Sequence, residues 1–192
     1  MDDQYILKEM LKIVEDHEVS LTEEDIFNFL KIKRRWPSEY PWKQRSVEVI
    51  GQWHQNVGSG FFDYEGLFIY DMWRKYYDAG FTTILSNILD LNSQLRDLAE
   101  KLFYYTGTEI NGNFYFSLGS SNHRVSFPPH QHEYHVIVKP IYGTCKWRLV
   151  HAPHGNTVEL DNTTESFIIP AGTSHSVYEC LDKKLSLTLN IS

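Results

Sequence analysis

From Asn111 to Ile191 the sequence falls into eight short runs of strand-forming residues, and this constrains the fold more than any other feature of the chain. The runs cover 111–118, 124–127, 134–141, 145–150, 157–160, 166–169, 176–180 and 185–191, and Gly, Pro, Asn or Asp separate many of them. Short, evenly spaced strands of this kind build a sandwich or barrel, and eight suit a jelly roll. The texture before residue 107 is different. Ile6, Leu7, Met10, Leu11 and Val14 lie at helical spacing and predict a helix over 4–17. Ser20-Leu-Thr-Glu23 fits a capping box for a second helix carrying Ile26, Phe27, Phe29 and Leu30. Further helices are predicted over 47–53, over 63–78 with Gly80 past its end, and over 91–105 with Leu95, Leu98 and Leu102 on one stripe and Gly107 as the stop, and Phe81-Thr-Thr-Ile-Leu85 reads as a short β-rich run between the last two. The fold class expected is α+β: a β-barrel over 108–192 with a helical N-terminal region, 1–107, packed on it as a cap.

Charge and composition narrow the function. With eighteen basic and twenty-five acidic residues the net charge is -7, which argues against non-specific nucleic-acid binding. The basic run Lys31-Ile-Lys33-Arg34-Arg35 reads as the solvated end of the second helix. No stretch approaches the roughly 18 apolar residues of a membrane span, and Met-Asp-Asp-Gln is acidic where a signal peptide is basic. Cys145 and Cys180 make no disulfide framework, and Cys145 reads as a small buried hydrophobe. The chain is expected to be soluble and cytoplasmic.

Chemistry concentrates in two places. His130-Gln-His132 stands at the start of a strand-like run, where alternate side chains share a face. Pro170-Ala-Gly172-Thr-Ser-His175 follows another strand; Pro and Gly turn the chain at the strand's mouth and the histidine starts the return. His130, His132 and His175 together offer three neutral nitrogen donors and leave coordination positions open, as a catalytic metal requires. By strand parity His135 faces away from His132, as a surface or supporting residue, and His123, His151 and His154 take no role. Gly58-Ser-Gly60 reads as a connector or a lid.

The Pro-x-Gly-x-x-His motif with the His-x-His pair resembles the cupin superfamily and, over residues 80–192, its JmjC-like group that includes the bacterial ribosomal oxygenases. Asn113-Phe-Tyr115-Phe-Ser117 stands in place of that group's N-x-Y-x-T/S, and Gly143-Thr-Cys145-Lys146-Trp147 in place of G-x-K/R-x-W. The resemblance implies a double-stranded β-helix holding Fe(II), with 2-oxoglutarate decarboxylation coupled to hydroxylation of a C–H bond. Asn113 and Tyr115 read either as hydrogen-bond partners of a bound acid or, for Tyr115, as a buried tyrosine with its hydroxyl satisfied by the protein. Two departures matter. His132 replaces the group's metal carboxylate, giving three histidines, an arrangement that also occurs in cupin dioxygenases using no 2-oxoglutarate. Cys145 replaces the cation for the distal carboxylate; Lys146 is one position on, and Lys139 and Arg148 are the substitutes. The use of 2-oxoglutarate therefore stays open.

The function expected is a mononuclear non-haem iron oxygenase acting on a small molecule or a peptide side chain, with Tyr115, Lys139 and Arg148 at the chemistry, Asn113 and Lys146 on the cosubstrate, and the three histidines on the metal. The rivals are a non-oxidative metal-dependent cupin, such as a lyase or isomerase, and a metal-free ligand-binding barrel. The N-terminal helices offer a surface for homodimerisation.

Overall fold

A computed structural model describes residues 3–32, 47–51, 61–108, 110–119, 127–151, 155–161, 163–180 and 182–191. In chain order the described elements are α1 (Asp3–Asp16), α2 (Glu23–Ile32), β1 (Val47–Ile50), α3 (Tyr70–Asp78), β2 (Thr82–Ser86), α4 (Ser93–Thr106), β3 (Asn111–Ser117), β4 (Phe127–His130), β5 (His135–Tyr142), β6 (Lys146–His151), β7 (Asn156–Leu160), β8 (Phe167–Ile169), β9 (Thr173–Glu179) and β10 (Lys184–Ile191). The strands form two sheets, one of six in the order β1-β2-β3-β10-β5-β8 and one of four in the order β4-β9-β6-β7. All the pairings are antiparallel.

The larger sheet works on both faces, and its residues sort by strand parity. Phe114 and Phe116 of β3, Ile137 of β5 and Leu185, Leu187 and Leu189 of β10 join one core with Met10, Val14, Ile26, Leu30, Trp73, Leu95 and Leu98 from the helices. The opposite face turns toward the smaller sheet, where Val136, Val138 and Ile169 meet Trp147 and Val177 in a second core. The helices thus cover the outside of the barrel. Their registry is set by a few polar contacts at its edge: Trp73 donates its indole N–H to Thr83 Oγ1 at 2.9 Å, and Tyr77 donates to Glu23 at 2.6 Å.

Several expectations needed correction. Residues 47–50 form β1 instead of a helix, the β-rich run at 81–85 reappears as β2, and both strands extend the barrel's larger sheet. Val47 and Val49 are buried at alternate positions, which is a strand's period. The third helix begins at Tyr70, because Asp63 accepts the Glu65 and Leu67 amides, both at 2.9 Å, and a Phe62–Phe68 bridge closes a turn there. The α2 cap is displaced by two residues: Asp25 accepts the Thr22 amide at 2.8 Å and returns its own amide to Thr22 Oγ1 at 3.2 Å. The α4 helix matches its prediction, with Asn92 accepting from Leu95 at its start and Gly107 at φ 71 as its stop. The basic residues 33–35, the Gly58–Gly60 segment, His123 and His154 lie outside the described residues.

Cys145 is buried as expected, but as half of a disulfide to Cys180, with Cα atoms 4.7 Å apart. The pair had not been expected because two isolated cysteines carry no spacing signal; the neighbouring β6 and β9 bring them together. The bridge closes a loop of 35 residues, so chain entropy gives it about 3 kcal/mol of stability. Thiol reduction is expected to lower the unfolding free energy by that amount, read as a fall in the denaturant midpoint. Equal midpoints with and without reductant would contradict it.

Candidate metal centre

His130 ends β4 and lies opposite His175 of β9 in the antiparallel ladder. His132 follows after the strand has ended, so strand alternation is not what aligns it with His130. A turn does this instead: Gly172, at φ 74, donates its amide to the His132 carbonyl at 2.8 Å and ties the segment to the Pro170–Gly172 corner. The ring centroids are 4.9 Å apart for His130 and His132, 4.1 Å for His130 and His175, and 5.4 Å for His132 and His175. One ligand nitrogen from each ring falls within 4.8 Å of the others.

The tautomers favour metal binding. His130 Nδ1 lies 3.0 Å from the Pro128 carbonyl and His175 Nδ1 lies 3.0 Å from the Thr173 carbonyl. A carbonyl only accepts, so each Nδ1 carries the hydrogen and each Nε2 keeps a lone pair. Burial, reinforced by His175, pushes His130 down to about 4, and burial also lowers His132 and His175. All three are therefore neutral donors at pH 7. Tyr134 stacks on His132 at 4.7 Å and 12°. His135 accepts the Ala171 amide on Nδ1 at 3.2 Å, which makes it a support of the same corner.

The histidines stand at a cavity of about 550 Å³, mouth included, that opens between the two sheets. Asn113 and Tyr115 line it, and burial pushes the Tyr115 hydroxyl upward. The three cations do not line it. Lys139 pairs with Leu187 on the outer face and donates to the Val14 carbonyl of α1 at 2.7 Å, so it fastens a helix. Arg148 points outward, where it bonds Glu159 at 2.9 Å and covers the Tyr178 ring at 5.0 Å. Lys146 pairs with Glu179 at 2.8 Å. Inner and outer faces alternate along β6, and Trp147 takes the inner one. Arg148→Ala is accordingly expected to leave metal affinity unchanged and stability within about 0.5 kcal/mol, measured by metal titration and denaturant unfolding.

The cation that does line the cavity is Lys184, with Ser186, Thr188 and Asn190 from the same strand. None of the described residues that line it is acidic. Burial brings the Lys184 ammonium down to about 7. The strand prediction began at Leu185, one residue late. The alternation Lys184-Leu-Ser-Leu-Thr-Leu-Asn190 was the available signal, but alternation alone does not say which face meets a cavity.

No family model matches the sequence, and no curated protein matches it. Solved structures do match. The ribosomal oxygenase YcfD from Escherichia coli superposes with a TM-score of 0.56 at 14% identity, covering 92% of this chain and 45% of that chain. Its complex with cobalt and succinic acid gives 0.54 at 13% identity, and its complex with cobalt and 2-oxoglutarate gives 0.51 at 11%, both with the same coverage of 92% and 45%. The fold is a cupin barrel. The chain spans less than half the length of these structures, and at such identities the likeness is one of fold. Within this cupin barrel the metal corner sits where β4 and β9 pair, and the helices lie on the far side of the larger sheet.

Proposed function

We propose that the chain is a mononuclear non-haem Fe(II) oxygenase that oxidises a small molecule or a peptide side chain. The observation that carries this reading is the convergence of three neutral histidine nitrogens at one cavity between the two sheets. Three imidazoles on one side of an ion leave the cavity side for other ligands. Iron bound there would supply the chemistry that brings dioxygen and an organic ligand together.

The protein's own groups do the rest. The Pro128 and Thr173 carbonyls hold His130 and His175 in one tautomer and one orientation. Tyr134 fixes the plane of His132 by stacking. Trp147, Val136, Val138, Ile169 and Val177 make the wall apolar, which excludes bulk water from the reacting groups. Asn113 and Tyr115 supply hydrogen bonds from the larger sheet to a bound acid.

The YcfD comparison supports the reading through fold alone. The similarity of that protein's complexes with 2-oxoglutarate and succinic acid makes 2-oxoglutarate the cosubstrate to try first. The proposal includes a homodimer formed through the N-terminal helices, no nucleic-acid partner, and a cytoplasmic setting. The Cys145–Cys180 disulfide pulls against that setting, because cytoplasmic thiols keep such pairs reduced. Among the described residues no helix is long and apolar enough to cross a membrane.

The test is anaerobic titration of the apo protein with Fe(II), followed by oxygen uptake with and without 2-oxoglutarate. Binding of one iron per chain and uptake that depends on it are the expected results. Failure to bind iron stoichiometrically would overturn the proposal.

A further inference from the structure

A groove of about 1030 Å³, mouth included, runs along one flank of α4 and shares no residue with the metal cavity. Leu89 and Ile110, both buried, form its floor. Arg96, Ala99 and Phe103 stand along it at helical spacing, with Glu100 and Tyr104 beside them, while Leu95, Leu98 and Leu102 take another stripe of the helix into the core. Phe103 is 54% exposed and Tyr104 93%, and Tyr105 at 37% continues the patch to Tyr5 of α1 at 53%. An aromatic side chain buries about 150–250 Å², so these four offer roughly half of the ~800 Å² per partner that a stable interface covers. Two charges flank them. Arg96 and Glu100 make no ion pair with each other or with any described residue, although they lie one turn apart. Arginine ahead of glutamate is the weaker order for such a pair within a helix. Asp90, also at the groove, is already engaged within the protein.

We infer that this face of α4 is an interface with a second copy of the chain, formed by two α4 helices crossing antiparallel about a twofold axis. Charge complementarity selects that occupant. A twofold contact is self-complementary, so each copy must carry both halves of every interaction. This face does. An axis passing between the two unpaired charges sets Arg96 against Glu100 of the partner subunit, and sets it twice. The same crossing carries Phe103 and Tyr104, near the end of α4, over the start of the partner's α4, the end at which Leu89 floors the groove. A partner of uniform charge would instead meet either Arg96 or Glu100 with a like charge. The inference rests on the homodimer in the reading above and names its surface. The metal centre does not depend on it.

The test is sedimentation equilibrium of the full chain over a range of concentrations. Wild type is expected to sediment at twice the mass of one chain. Arg96→Glu and Glu100→Arg should each weaken self-association at least ~10-fold, because each sets like charges against one another. Mixed in equal amounts, these two variants should pair with each other, since every charge then meets its opposite. Tyr104→Ser, altered at a side chain that a single copy leaves exposed, should weaken association with the circular dichroism spectrum unchanged. A wild type that stays monomeric throughout would overturn the interface and the homodimer together. A wild-type dimer that all three variants leave intact would overturn this interface alone, the homodimer then using another surface. Charge variants that separate but do not pair on mixing would overturn the twofold arrangement. Iron binding is read in its own titration, so the metal reading stands or falls apart from these results.

Discussion

His175→Ala should abolish stoichiometric metal binding and leave the barrel folded. His175 is the most buried of the three histidines, and it is the link between them: it faces His130 across the ladder, and its Nδ1 is anchored on the Thr173 carbonyl. Removing it leaves two donors, one of them on a segment outside any strand. Loss of a supporting contact to a metal ligand costs about 10- to 100-fold in affinity, so loss of a ligand should exceed 100-fold. The fold should tolerate the change, because the cores rest on other residues: Val177 and Trp147 on one side, and the leucines of β10 on the other. Equilibrium dialysis against Fe(II) or Co(II) measures the affinity, and circular dichroism reports the fold. Unchanged metal content in a folded variant would mean that the three histidines do not form one site. Acid should act in the same direction. With His130 held near 4 and the other two lowered by burial, protons compete for the ligands below pH 6.5, so metal release is expected on the acid side of an ordinary histidine titration.

Lys184→Met should make the ligand-free protein more stable. Burial lowers this ammonium from 10.5 to about 7. Below pH 7 the lysine is charged in both states, and the folded state bears the whole cost of burying the charge. Between the two values the unfolded chain holds a proton that the folded chain has given up, so this group makes stability rise with pH. Above 10.5 both forms are neutral and the difference disappears. Methionine has similar length and no charge to desolvate, so the variant should gain about 2 to 4 kcal/mol near pH 6, with the gain fading toward pH 10. Denaturant unfolding across this pH range measures it. A variant less stable than wild type at pH 6 would show that Lys184 is paired in the folded protein.

Much of the barrel was legible because it depends on local signals. Seven of the eight predicted strand runs reappear within a few residues, at 111–117, 135–142, 146–151, 156–160, 167–169, 173–179 and 184–191. The run at 124–127 meets the described structure only at Phe127, where β4 begins. Boundaries were the weak point, and they had consequences at the site. One missing residue hid Lys184, and a late start for β9 left His175 just ahead of the predicted run at 176–180 when it lies inside the strand. The basic residues were harder still. Lys139, Lys146 and Arg148 sit in the right strands, yet whether a side chain meets the cavity or the outside depends on which face of its sheet is turned toward the other sheet.

The sequence alone determined the alternation of short strands and turns, the helical character of α1, α2 and α4, and three histidines in a pattern suited to a metal. Those follow from backbone propensities and spacing, which act over a few residues. Tertiary structure alone decided the rest. It recruited β1 and β2 from the N-terminal region into the larger sheet, joined Cys145 to Cys180, and turned three candidate cations outward. It also put Lys184 into the wall of the cavity that the histidines face. Each of these is set by which strands pair and which sheet faces meet, long-range choices that no local pattern encodes.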